Sequence, residues 1–63
     1  MKFRIKECRE EAKLTQEELA KRAKVSRTII SGLENGTITV TTTTTLSKIA
    51  DALGKRVSEI FFE

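Results

Sequence analysis

Residues 15–35 read TQEELAKRAKVSRTIISGLEN, and this stretch decides the fold. Thr15 and Glu18 have the spacing of a capping box, in which each side chain accepts a hydrogen bond from the other residue's backbone N–H at the start of a helix. Ser26 is a second favourable capping residue. The stretch therefore predicts two short helices joined by a tight turn at residues 24–25.

The second of these helices, at about residues 26–35, has two chemically different faces. At about 100° per residue, Ile29, Ile30 and Leu33 fall on one side. An arc of about 140° on the other side holds neither acids nor large apolar side chains and carries Arg27, Thr28, Ser31, Gly32 and Asn35. A helix that merely faces water would carry scattered glutamates and lysines. The polar, slightly basic arc instead suits the major groove of DNA, where an arginine donates two hydrogen bonds to guanine.

Three more helices are predicted from apolar residues that recur at helical spacing. The first runs roughly over residues 2–13, with Ile5, Cys8 and Ala12 on its buried stripe. The fourth and fifth helices have stripes formed by Leu46, Ile49, Ala50 and Leu53, then by Val57, Ile60 and Phe61. The predicted fold class is all-α, with five helices in a single domain that spans residues 1–63.

The segment between the third and fourth helices has no helical pattern. Residues 37–41 alternate in polarity with period two, as a half-buried strand does. A single strand would have no partner in so short a chain, so we predict an extended loop that packs Val40 and Ile38 against the core. The fourth helix begins within the threonine run at residues 41–45, and the pattern does not distinguish which threonine caps it.

Basic charge is concentrated on the predicted helix pair. The chain has 12 lysines and arginines against 9 acids, a net charge of +3. Between Leu19 and Leu33 there is no acid, and this interval carries Lys21, Arg22, Lys24 and Arg27. A phosphate backbone attracts such a cluster, but a solvated helical face has the same composition. Charge alone supports the two interpretations equally.

The composition argues against several classes of function. The sequence has no histidine and a single cysteine, Cys8, so neither an internal disulfide nor a zinc site is expected. No serine or cysteine has a plausible base beside it, and Cys8 fits the core stripe of the first helix, so we expect no enzyme activity. The start of the sequence lacks the apolar run of a signal peptide, and the longest apolar run, residues 60–62, is too short to cross a membrane. We expect a cytoplasmic protein that has no cofactor, metal or small-molecule ligand.

Taken together, these segments resemble the phage-repressor-like helix-turn-helix family, also called the Cro/repressor or XRE family. The resemblance rests on LTQEELA at residues 14–20, VS at 25–26, IS at 30–31, ENG at 34–36, LSKIADALG at 46–54 and VSEIF at 57–61. It covers nearly the whole chain. It implies a five-helix, lambda-repressor-like domain that binds double-stranded DNA through a helix-turn-helix at helices two and three. The implied function is that of a sequence-specific transcriptional regulator, most simply a repressor.

The resemblance assigns base-edge contacts to one side of the third helix. Arg27 and Thr28 occupy positions that usually reach the bases, and Ser31 and Gly32 continue the same face. Gly32 has no side chain to read with. We expect it to allow close approach to the groove, and the alternative is that it weakens specificity. Lys24 stands where the family often has glycine, at a position that favours a positive φ.

Contacts with the DNA backbone are implied on both sides of that helix. Gln16 would bind a phosphate beside Thr15, where the first amides of the second helix favour an anion. Asn35 and Thr37 would contact the backbone again.

The resemblance also pairs Arg9 with Glu34, which ties the first helix to the end of the third. Such a pair contributes little at the surface, but the loss of one partner is costly if the pair is partly buried.

A homodimer is expected for two reasons. A 63-residue chain buries a small core, and a partner chain is the support that remains once disulfides and metals are set aside. The apolar carboxyl-terminal residues Ile60, Phe61 and Phe62 exceed what one short helix buries, and many members of the family pair through their last helix. The alternative function is an antitoxin or adaptor that uses the same fold to bind protein rather than DNA.

Overall fold

The computed structural model describes residues 2–62, with side chains from residue 3 to residue 61. Five α-helices follow one another in this range, which confirms the all-α prediction. Two very short strands, which were not predicted, flank the helices. In chain order the elements are β1 (Lys2–Phe3), α1 (Ile5–Glu11), α2 (Gln16–Ala23), α3 (Arg27–Asn35), α4 (Thr43–Leu53), α5 (Val57–Ile60) and β2 (Phe61–Phe62). None of these helices has the length and apolarity that a membrane span requires.

Both predicted caps of the central helix pair are confirmed. The hydroxyl of Thr15 accepts the N–H of Glu18 at 3.0 Å, and the Glu18 carboxylate accepts the N–H of Thr15 at 2.9 Å. The hydroxyl of Ser26 accepts the N–H of Ile29 at 3.2 Å. Lys24 ends α2 in the left-handed conformation, at φ 57°. This local geometry sets the tight turn that brings α3 across α2.

The core receives one fully buried side chain from each helix. Ile5, Leu19, Ile30, Ile49 and Ile60 are each 0% exposed. Burying a side chain of this size contributes about 1.5–3 kcal/mol. The small residues Ala20 and Ala23 of α2 are buried as well. The helix α2 packs against both α3 and α4.

The first helix is shorter at both ends than predicted. Residues 2–3 pair instead with residues 62–61 as an antiparallel two-stranded sheet. The sheet is extended by a hydrogen bond of 2.8 Å from the N–H of Arg4 to the carbonyl of Ile60. At the other end, Ala12 was expected in the core but is exposed. The chain turns at Lys13, at φ 59°, and places Leu14 in the core instead.

The segment between α3 and α4 is an extended loop without strand pairing, as predicted. The expectation that Val40 packs against the core was wrong, because its side chain is 76% exposed. The expectation that Ile38 packs against the core is confirmed. Thr42 caps α4, with its hydroxyl accepting the N–H of Thr45 at 3.2 Å.

Candidate nucleic-acid interface

The outward face of α3 brings together most of the side chains to which the sequence assigned base-edge contacts. Arg27 and Thr28 are exposed in the first turn of the helix, and Ser31 lies half-buried one turn later. Within residues 2–62, Arg27 forms no ion pair. Its guanidinium is therefore free to donate to an external acceptor.

Gly32 does not lie on the surface as expected. It is buried, because the side chain of Ile38 folds over it from the loop. A Cβ at residue 32 would lie 2.5 Å from Cδ1 and Cγ1 of Ile38, well inside van der Waals contact. Glycine at this position therefore makes room for the loop.

A groove of about 460 Å³ runs between α3 and this loop, and Ile38 forms part of its wall together with the α3 residues. Sequence reasoning placed Ile38 in the loop but not in the groove. The signal that could have placed Ile38 in the groove was a glycine on the outward arc of α3, followed by an isoleucine after the helix.

Arg9 and Glu34 form the expected pair, and it is largely buried. Nε and Nη2 of Arg9 donate to Oε2 and Oε1 of Glu34 at 2.8 and 3.1 Å. The two side chains are only 13% and 4% exposed. Nη1 of Arg9 donates further to the carbonyl of Leu14 at 2.7 Å. The hydrogen bond to Glu34 raises the pKa of Arg9.

The start of α2 combines features that favour and oppose a phosphate. The first-turn amides of a helix point outward without intrahelical partners and attract anions. Gln16 lies there half-buried, and its Nε2 donates to Oε1 of Glu34 at 3.2 Å. The hydroxyl of Thr15 is used by the capping box. Glu17 and Glu18 add negative charge, of which Glu17 is partly balanced by Lys21 at 3.6 Å.

The end of α3 is held by a local turn. Gly36 adopts the left-handed conformation at φ 84°, and Oδ1 of Asn35 accepts the N–H of Thr37 at 2.8 Å. Asn35 and Thr37 are both exposed on the same groove as Arg27. The carboxyl end of α3 thus presents polar side chains beside the outward face of this helix.

The three residues expected at a dimer interface, Ile60, Phe61 and Phe62, do not form one exposed patch in the described part of the chain. Ile60 is 0% exposed within the single chain, so it is a core residue and is not available to a partner. Phe61 is half-buried and packs edge-on against Phe3, with ring centroids 5.9 Å apart. The side chain of Phe62 lies outside the described residues.

Cys8 has the environment of a core residue. It is 7% exposed, and burial raises the pKa of its thiol above the ordinary value. A thiol with a raised pKa is a poor nucleophile at neutral pH, because the thiolate is the reactive form.

Two capped helices joined by a left-handed turn, with an acid-free outward face on the second, define a small helix-turn-helix DNA-binding domain. The family model described as Helix-turn-helix matches residues 5–60. The chain belongs to this family, and it is a DNA-binding transcription regulator of the XRE type. The family is one of DNA-binding regulators and not of enzymes. No curated protein matches the chain.

Proposed function

We propose that this protein is a repressor that binds a near-palindromic operator as a homodimer, with α3 in the major groove. The observation that carries the proposal is the face of α3. Arg27, Thr28 and Ser31 lie along one groove, and the salt bridges of residues 2–62 leave Arg27 unengaged.

Direct reading of bases is assigned to Arg27 and Thr28, with Ser31 beside them. Arginine at the start of a recognition helix discriminates guanine by two hydrogen bonds to its major-groove edge. Gly32 is covered by Ile38, so we assign it no base contact of its own.

Backbone contacts are assigned to residues at the edges of the same surface. Thr15 and Gln16 lie at the amino end of α2, and Asn35 and Thr37 lie at the carboxyl end of α3. Nε2 of Gln16 donates to Oε1 of Glu34 at 3.2 Å, so its amide lies between the first turn of α2 and the end of α3. Contacts of this kind set the register on the duplex and carry no sequence information.

The experiment is selection of duplexes from a random DNA library, followed by binding measurements on the selected site. Arg27→Ala should cost about 1–3 kcal/mol and relax one base position. Gln16→Ala should weaken all sequences alike. The matched control is Arg22→Ala, which removes the same charge from an exposed position on α2. If Arg27→Ala and Arg22→Ala bind the selected site equally, Arg27 has no role in base reading.

The salt dependence separates DNA binding from the alternative of a protein-binding adaptor or antitoxin. Three or four phosphates per chain neutralised by lysines and arginines predict a slope of about −3 to −4 in log affinity against log salt concentration. If no duplex is selected, or if binding is independent of salt, the adaptor function is favoured instead.

The dimer is assigned to the carboxyl-terminal face that contains Phe61. Phe61 is only half-buried within one chain, although it packs on Phe3. A two-fold partner would cover the remaining ring surface and set two recognition helices one DNA turn apart, roughly 34 Å. Sedimentation at micromolar concentration tests this, with the double variant Phe61→Ala and Phe62→Ala as comparison. A parent protein that remains monomeric both free and on DNA contradicts the dimer.

A further inference from the structure

The side chain of Ile38 fills the space beside Gly32, where α3 has no side chain of its own. Its backbone N–H donates to the carbonyl of Gly32 at 2.9 Å, so the loop is fixed to the helix at this point. Its Cδ1 and Cγ1 lie 2.5 Å from where a Cβ of residue 32 would stand. The ethyl arm of Ile38, formed by Cγ1 and Cδ1, therefore lies where a side chain of residue 32 would begin.

The direction of helical side chains places this apolar surface beside Thr28. A Cβ on a helix tilts toward the amino end, so a side chain at residue 32 would lean over residue 28. Ile38 and Thr28 line the same groove, together with Arg27 and Ser31. Ile38 is half-buried, so part of its side chain remains exposed in that groove.

We propose that Ile38 determines specificity by contacting the 5-methyl group of a thymine, in place of the side chain that Gly32 lacks. The proposal rests on the DNA-binding function proposed above. In the major groove, the base-edge feature that an apolar side chain reads is the thymine methyl. Among the side chains that line this groove, Ile38 is the one that is wholly apolar, whereas Thr28 offers a single methyl group beside its hydroxyl.

The loop is held in place before DNA arrives, which favours this role. Besides the hydrogen bond from Ile38 to Gly32, the N–H of Thr37 donates to Asn35 at 2.8 Å. Two anchors on adjacent residues hold the loop backbone that carries the Ile38 side chain against α3. A contact made by a preorganised group loses little conformational entropy on binding.

The simpler explanation is that Ile38 only covers Gly32 and the core beneath it. The two explanations differ in one measurable property, the dependence of binding on a thymine methyl group. A purely structural Ile38 would affect stability and overall affinity, but it would not make affinity depend on one methyl group of the DNA.

The test uses the duplex that the protein selects from a random library, remade with each thymine replaced in turn by deoxyuridine. The parent protein should lose about four-fold in affinity at one position per half-site, the effect of one buried methyl group. In Ile38→Ala this penalty should disappear at that position, and in Ile38→Val, which lacks only Cδ1, it should be reduced. The matched control is Val40→Ala, an exposed valine of the same loop, which should retain the full penalty.

Unfolding of each variant is followed by circular dichroism, so that loss of fold is separated from loss of contact. A deoxyuridine penalty that persists in Ile38→Ala would assign the methyl contact to another residue, such as Thr28, and would overturn the inference. So would a parent protein that binds every deoxyuridine duplex as tightly as the thymine one. Failure to select any duplex would instead refute the sequence-specific operator binding proposed above.

Discussion

Replacement of Glu34 by glutamine tests whether the ion pair with Arg9 stabilises the fold or contributes as little as an exposed pair. The substitution keeps the size of the side chain and removes its charge. In the parent protein the carboxylate accepts two hydrogen bonds from Arg9 and one from Gln16. An amide has one acceptor oxygen, and its NH₂ group would face the guanidinium. The Arg9 cation would then keep its hydrogen bond to Leu14 but would lose its counter-charge.

The magnitude follows from burial. The Arg9 and Glu34 side chains are 13% and 4% exposed, so water cannot replace the lost partner. Breaking a buried pair from one side costs about 3–5 kcal/mol, against about 0–1 kcal/mol for an exposed pair. We expect Glu34→Gln to lie near the lower end, about 3 kcal/mol, because the amide still accepts one hydrogen bond. A domain of 63 residues has a total stability of only about 3–9 kcal/mol, so the loss is a large fraction of it.

The assay is urea unfolding followed by far-ultraviolet circular dichroism, since the chain has no tryptophan or tyrosine to report by fluorescence. The matched control is Glu17→Gln, because Glu17 pairs with Lys21 at 3.6 Å while both side chains are more than half exposed. The control should change the free energy of unfolding by less than about 1 kcal/mol. If Glu34→Gln costs no more than Glu17→Gln, the argument from burial is refuted.

Three further predictions concern single residues. Lys24→Gly should stabilise the fold by about 0.5–1 kcal/mol, because Lys24 has a left-handed backbone conformation that glycine adopts without steric cost. Thermal unfolding measures the effect, and Lys24→Gln is the control for the loss of charge. The hydrogen bond from the Thr15 N–H holds the pKa of Glu18 below its usual value. The stability that the Glu18 carboxylate contributes to the fold is therefore present above the unfolded-state pKa and is lost as the pH falls through the folded-state pKa. The stability gap between the parent and Glu18→Gln should therefore shrink on acidification, and a gap that is constant with pH contradicts the assignment. Cys8 should react slowly with a thiol reagent in the native protein and quickly in urea, and equal rates would show that it is not buried.

The helix-turn-helix could be predicted from the sequence because its determinants are local. A capping box needs two residues three apart, and Ser26 caps α3 through a hydrogen bond within the same turn. The resemblance to the family supplied a second local signal, a glycine position at Lys24, and this residue is left-handed in the structure. Each of these features depends on neighbours in the chain, so no tertiary information was required.

The errors at the chain ends and in the loop have non-local causes. Residues 2–3 form a strand because residues 61–62 lie beside them, a contact across the whole chain that no local pattern reveals. In the loop, alternation placed Ile38 and Val40 on the same side, yet only Ile38 packs inward. Packing of Ile38 depends on the space above Gly32 on another element, and that space became visible only in three dimensions.

Glu34 connects the stability of the fold to the DNA-binding surface that we propose on α3. Its carboxylate receives Arg9 from α1 and Gln16 from α2, and its own helix carries the face with Arg27. Because the Gln16 amide is one of three donors to Glu34, it could turn toward a phosphate while both hydrogen bonds from Arg9 remain. The link between α1 and α3 would then be kept by the buried pair during binding. It follows that Gln16→Ala should weaken DNA binding with little loss of stability, whereas Glu34→Gln should lower both, and equal losses of stability in the two variants would contradict this division of roles.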